Sequence, residues 1–234
     1  MRDAARRCVE PPGTIPARSA ALPAHGRGCR ALLGTVLLAA FAGSAGAYTA
    51  TLAPGAPQTV YLQVGVGSFT NTYLNGGQPG NNPTINTVST AVAAAAVGNN
   101  TAQAMTTNSA VTQSYWDNFT FCSVPGQVYV GGFYRTTGAI TAAARVTATV
   151  PAALTNATGN TIPFAQIRWT SSGNGDAGAE PFPAGTFVNG SVQSVGSMAS
   201  NTWNESCWSF SYLNNTVPAA GTFTGRVLYT LSSP

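Results

Sequence analysis

From residue 48 onward, short runs of alternating apolar and polar side chains lie between frequent Gly, Asn, Ser, Thr and Pro residues. This period of two is the pattern of half-buried strands. Val60, Leu62, Val64 and Val66 alternate with Tyr61, Gln63 and Gly65. Val128 and Val130, followed after a Gly131-Gly132 break by Phe133-Tyr134, form a second run. Val146, Ala148 and Val150 enclose Thr147 and Thr149 in a third. Trp208, Phe210 and Tyr212 alternate with Ser209 and Ser211, and Phe223, Gly225, Val227, Tyr229 and Leu231 make the last run. Helix signals are nearly absent; the Ala-rich stretch Ala91–Val97, with Thr-, Val- and Asn-rich flanks, reads as strand or loop. Many short strands with closely spaced turns predict an all-β sandwich or barrel.

The first 47 residues read differently. A basic region through Arg30, an apolar stretch Ala31–Phe41 and small residues ending at Ala45-Gly46-Ala47 have the order of an export signal, with cleavage expected after Ala47. The apolar stretch is about half of what a spanning helix needs, and no other candidate span follows, so no membrane span is expected after cleavage. Periplasm, cell surface and medium all stay open as destinations. The only His (His25) and six of the ten Arg belong to this segment, and the chain contains no Lys. Beyond it stand Arg135, Arg145, Arg168 and Arg226 against Asp117, Asp176, Glu180 and Glu205, so the net charge of +4 is the leader's. Nothing in this balance calls for a nucleic-acid partner.

Export gives the cysteines a meaning, because oxidising compartments favour disulfides. Only Cys122 and Cys207 remain beyond residue 47, and they are predicted to pair. A metal site would lack ligands, with no His and no C-x-x-C. Closing a loop of about 85 residues stabilises the folded state by at most roughly 4–5 kcal/mol in the chain-entropy account. By alternation Cys122 falls in phase with Asn118 and Thr120, and Cys207 with Ser209 and Ser211. That phase predicts a bridge at the sheet surface or a strand end, not between two sheets.

A weak echo links Trp116-Asp117-Asn118 before Cys122 to Trp203-Asn204-Glu205 before Cys207. Val88-Ser89-Thr90 echoes Val146-Thr147-Ala148 at a different offset. A tandem repeat would keep one period, so residues 48–234 are read as a single enlarged domain in preference to two small ones. The closing segment Pro218–Leu231 resembles the last strand of bacterial exported β-sandwich proteins of the fimbrial-subunit and spore-coat-U type, and Val146–Pro163 is similar to the middle of such domains. The resemblance implies an Ig-like antiparallel β-sandwich and a role in surface assemblies. It carries over no functional residue, and the chain is longer than a usual subunit and places its cysteines differently.

The chemistry left to residues 48–234 is narrow. Nucleophilic triads need a general base titrating near neutrality, and there is neither imidazole nor amine to supply one. A glycosidase needs only two carboxyls, which leaves Asp117 and Glu205, each shortly after a Trp and before a Cys. The alternative is that both are loop acids at strand starts, and no catalytic residue is assigned. Gly173–Glu180 offers the oxygens of Asp176 and Glu180 between Gly turns, yet without the spaced acids of a calcium loop it reads as a plain connection. No metal and no cofactor is expected. Tyr115, Trp116 and Trp203 would make a platform for stacking sugar rings if exposed, although aromatics on strands are more often core.

Sparse charge itself suggests a role. Sheet edges are normally kept apart by Lys, and this chain has none. The reading is a non-enzymatic structural or adhesive surface protein, self-associating or joining other surface proteins by strand addition, with Val60–Val66 or the final strand as donor. The alternative is a glycan-binding module.

Overall fold

The computed structural model describes residues 49–82, 84–138, 142–174 and 179–234; the leader, with its cleavage point, lies outside them. Among the described residues the chain forms β1 (Thr49–Thr51), β2 (Thr59–Val64), β3 (Val88–Ser89), β4 (Gln103–Ala104), β5 (Thr106–Thr107), β6 (Val128–Arg135) and β7 (Ala144–Thr149). It continues with β8 (Ala153–Thr155), β9 (Thr161–Pro163), β10 (Ile167–Ser172), β11 (Gly185–Thr186), β12 (Val192–Met198), β13 (Thr202–Tyr212) and β14 (Leu228–Ser232). The helical content of the described residues is three single 3₁₀ turns, one of them Ala94–Ala96 within the Ala-rich stretch. The result is an all-β antiparallel sandwich with one disulfide.

The larger sheet has the order β11-β10-β13-β6-β2, and the smaller β12-β7-β14. Strand β13 is the spine: its first half pairs with β6 and β1, its second with β10 and β4. The main core fills the space between the two sheets. Val128, Val130, Tyr134, Trp169, Trp208 and Phe210 meet Val146, Ala148, Val195 and Met198 there. Each large side chain so buried contributes about 1.5–3 kcal/mol relative to exposure.

Strand β7 follows its alternation, with Ala144, Val146 and Ala148 buried and Arg145 and Thr149 exposed. The larger sheet departs from it. Strand β6 is buried from Val128 to Tyr134 and runs straight through Gly131-Gly132, which is no break. Strand β13 begins six residues before the expected Trp208 and is buried on both faces along most of its length. The expected long final strand is short, since Phe223–Val227 lies outside β14 and contributes only an isolated bridge at Thr224.

These departures share one cause. The 63-residue connection from β2 to β6 folds back over the outer face of the larger sheet, with residues 65–82 and 108–122 forming a cover and β4 extending the sheet itself. A second core lies under the cover. It takes Tyr61 from β2, Tyr129 and Phe133 from β6, and Trp203 and Cys207 from β13, the positions that alternation assigns to solvent. Cys122 and Cys207 are therefore 2% and 1% exposed, so the expected surface bridge is corrected to a buried one. Its Cα atoms lie 5.6 Å apart, and it joins sheet to cover, not sheet to sheet.

A buried carboxyl beneath an aromatic cover

Strand register arranges the second core in rows across the sheet. Tyr61, Phe133 and Trp203 are paired neighbours in one row, and Gln63, Gly131 and Glu205 in the next. The aromatic row is covered by Phe69, Tyr73 and Trp116, with Trp203 in ring contact with all five others. The polar row holds Glu205, whose side chain has no exposure to solvent.

Each neighbour of Glu205 is placed by local structure. Residues 112–121 of the cover form a tight hairpin in which Gln113 bridges Thr120 and Asn118 adopts a left-handed φ of 71°. The hairpin turns Ser114 inward, where its Oγ accepts from the Trp116 amide (3.0 Å) and donates to Glu205 Oε1 (3.0 Å). Trp203 Nε1 donates to the same Oε1. Gly131 has no side chain, and that space is taken by the Tyr129 ring: a Cβ at Gly131 would lie 2.2 Å from the Tyr129 hydroxyl. That hydroxyl interacts with the carboxyl electrostatically, yet neither Tyr129 Oη nor Glu205 Oε2 has a directed hydrogen-bond partner. Gln63 accepts from the Tyr61 hydroxyl (2.5 Å) and donates to the Gly65 carbonyl (2.8 Å).

The electrostatics follow from burial with no cation alongside among the described residues. Desolvation pushes the Glu205 carboxyl up to about 7, against the opposing pull of Trp203, Ser114 and Tyr129, and the charge of Asp117 adds to the rise. Burial likewise holds Tyr61 and Tyr129 well above the usual phenol range, with Glu205 contributing to both. Tyr115 is raised by burial and partly lowered by Gln63. The site is thus a carboxyl ringed by neutral phenols and indoles.

The residues singled out from sequence are distributed unevenly. Tyr115, Trp116 and Trp203 do come together, but Trp203 has no exposed surface and cannot meet a sugar ring. Tyr115 and Trp116 are half-buried, stacked on Phe69 and Tyr73 at 5.3 and 5.6 Å between ring centres. Asp117 is exposed, and its Oδ1 accepts from the Phe119 amide (2.9 Å) as a turn-former, whereas Glu205 is sealed below it. The pair considered for glycoside cleavage therefore has one acid in solvent and one out of reach. Glu180 accepts from Ser206 Oγ (3.0 Å), and Asp176 lies outside the described residues.

Ser114, Tyr129, Gln63 and Gly131 escaped the sequence reading. A signal for them existed, because Glu205 shares its phase with Trp203 and Cys207, two residues that are seldom left in water. Comparison of the chain with family models, with curated proteins and with solved structures gives no match.

Proposed function

We propose that the chain is a non-enzymatic exported protein of structural or adhesive type that associates at the cell surface or outside the cell by strand addition. The observation that carries this reading is the character of its sheet edges. Both segments expected to pair, β2 and β14, stand at sheet edges, β2 ending the larger sheet and β14 the smaller, with β12 at the other side. Each carries an exposed aliphatic residue: Val60 at 49%, Leu228 at 58% and Val192 at 67%. No Lys guards any of them. Edges of this kind favour pairing with another strand. Sedimentation of the purified protein over a wide concentration range tests the reading: association that Leu228→Lys or Val60→Lys weakens supports it, and a strict monomer at high concentration rejects it.

A second reading, glycan binding, is favoured by the half-exposed Tyr115 and Trp116 and by a shallow groove of about 300 Å³ lined by Val66, Gly67, Asn108, Val111, Gln113 and Tyr115. Stacking on such rings needs few charges. A retained sugar on a broad glycan panel, lost with Trp116→Ala, would support it; no retained sugar would remove it.

A further inference from the structure

We propose that Glu205 is a proton-operated latch, which holds the cover against the larger sheet as a neutral acid and loosens it when the proton leaves. Complete burial with no cation beside it is what favours the neutral acid. Glu205 Oε1 accepts from both Ser114 Oγ and Trp203 Nε1, while Oε2 has only the Tyr129 hydroxyl to interact with. Oε2 and Tyr129 Oη are each other's available partner, and the acid proton lies between them when Glu205 is neutral. Removing it to water leaves a charge in a closed space beside a phenol oxygen.

Only the neutral donors Ser114, Trp203 and Tyr129 offset that charge, and no cation among the described residues stands beside it. Facing Glu205 are Tyr129 from β6, Tyr61 with Gln63 from β2, and Tyr115 and Asp117 from the cover, none of them cationic. Strand β1 adds only Thr49, Ala50 and Thr51. Arg135 is turned to the Ala53 carbonyl (2.9 Å), and Arg168 pairs opposite Ser211, toward the far end of β13. The ion can reach water only if the cover lifts, because Ser114 and the hairpin that carries it are what seal it. Ionisation therefore favours the lifted state.

The disulfide limits the movement. Cys207 lies two residues beyond Glu205 on the same face of β13 and ties down Cys122, so the cover stays tethered at one end while the Ser114 side is free to part. Lifting it would uncover Phe133 and Trp203, which are otherwise buried, and widen the exposure of the half-buried Tyr61.

The direction with pH is fixed. The buried carboxyl titrates near 7 against 4.5 when solvated, so cover stability is fully present below about 4.5, falls as pH rises toward 7 and is level above it. The corresponding change in the opening equilibrium is on the order of a hundredfold.

Hydrogen exchange of the purified protein between pH 4 and 9, corrected for intrinsic rates, tests this. Cover amides such as Tyr73, Leu74 and Asn118 should lose protection by about that factor while β7 amides keep theirs. Glu205→Gln, which keeps the acceptor at Oε1 and places a permanent donor toward Tyr129, should abolish the pH response. An identical response in both proteins, or none in the wild type, overturns the proposal. Should the variant not fold, ¹³C NMR of the wild type decides, since Glu180 and Glu205 are the only glutamates beyond the leader. One side-chain carboxyl titrating near neutrality supports the latch, and two titrating in the ordinary carboxylate range refute it.

Discussion

Glu205 lies directly opposite Gly131 across the β13–β6 pair, and the missing side chain on one strand is what admits the acid on the other. Tyr129 folds into the vacated space and brings its hydroxyl to the carboxyl. Adding a methyl group would push the phenol off its place. Gly131→Ala should therefore cost about 1–3 kcal/mol in chemical denaturation, the usual range for overpacking a closed site. It should also disturb the cover more than β7, as read by amide exchange.

Gly132 makes a separate case on the other face. A Cβ there would meet the Tyr61 carbonyl at 2.3 Å and Met198 Cε at 2.7 Å, and the carbonyl belongs to a paired backbone that cannot step aside cheaply. Gly132→Ala is expected to be the more damaging of the two, lowering the unfolding midpoint further at unchanged denaturant slope.

The two indoles at the site should separate cleanly. Trp203 is closed in by five rings, so Trp203→Phe should lower stability by about 1–3 kcal/mol and Trp203→Ala by about 3–5 kcal/mol. Trp116 is half-buried, and Trp116→Ala should cost distinctly less in the same denaturation experiment.

The alternation of β7 was legible because one of its faces meets water, so Val146 and Ala148 stand apart from Arg145 and Thr149 by chemistry alone. That cue fails in β2 and β13, where Gln63, Glu205 and Cys207 look like a solvent face but lie under the cover. The cover itself has almost no periodicity to read. It is held by loop contacts such as Tyr73 N to the Tyr115 carbonyl (2.7 Å) and Tyr115 Oη to the Gly67 carbonyl (3.0 Å), which no spacing rule announces. The cysteine pairing was recoverable from their number; their depth was not.

Asn214 gives a further measurable case. It is buried with φ 56°, and its amide reaches the Ala96 carbonyl (2.8 Å) and Asn99 Oδ1 (2.9 Å) while its Oδ1 accepts from the Gly98 amide (2.9 Å). Asn214→Ala would strand those groups and place in the left-handed region a residue that tolerates it less well than Asn. A loss of about 2–4 kcal/mol is expected, with Asn214→Gly recovering only the backbone part.

Reduction of the buried disulfide should be slow in the folded protein and fast once it is unfolded. Cys122→Ser with Cys207→Ser should lose about 2–5 kcal/mol. A reductant-labile bridge under native conditions, measured by thiol labelling, would show the cover opening on its own.

A spine occupied on both sides leaves no neutral direction in which β13 could slide. Inserting or deleting one residue between Trp203 and Phe210 would hand the indoles of one compartment to the other and drop Glu205 among aliphatic neighbours, a double error where β7 would suffer only a single one. Length variation in such an architecture is confined to the connections, and any transplant of the lid onto another scaffold must carry the alternate positions of this strand along with it.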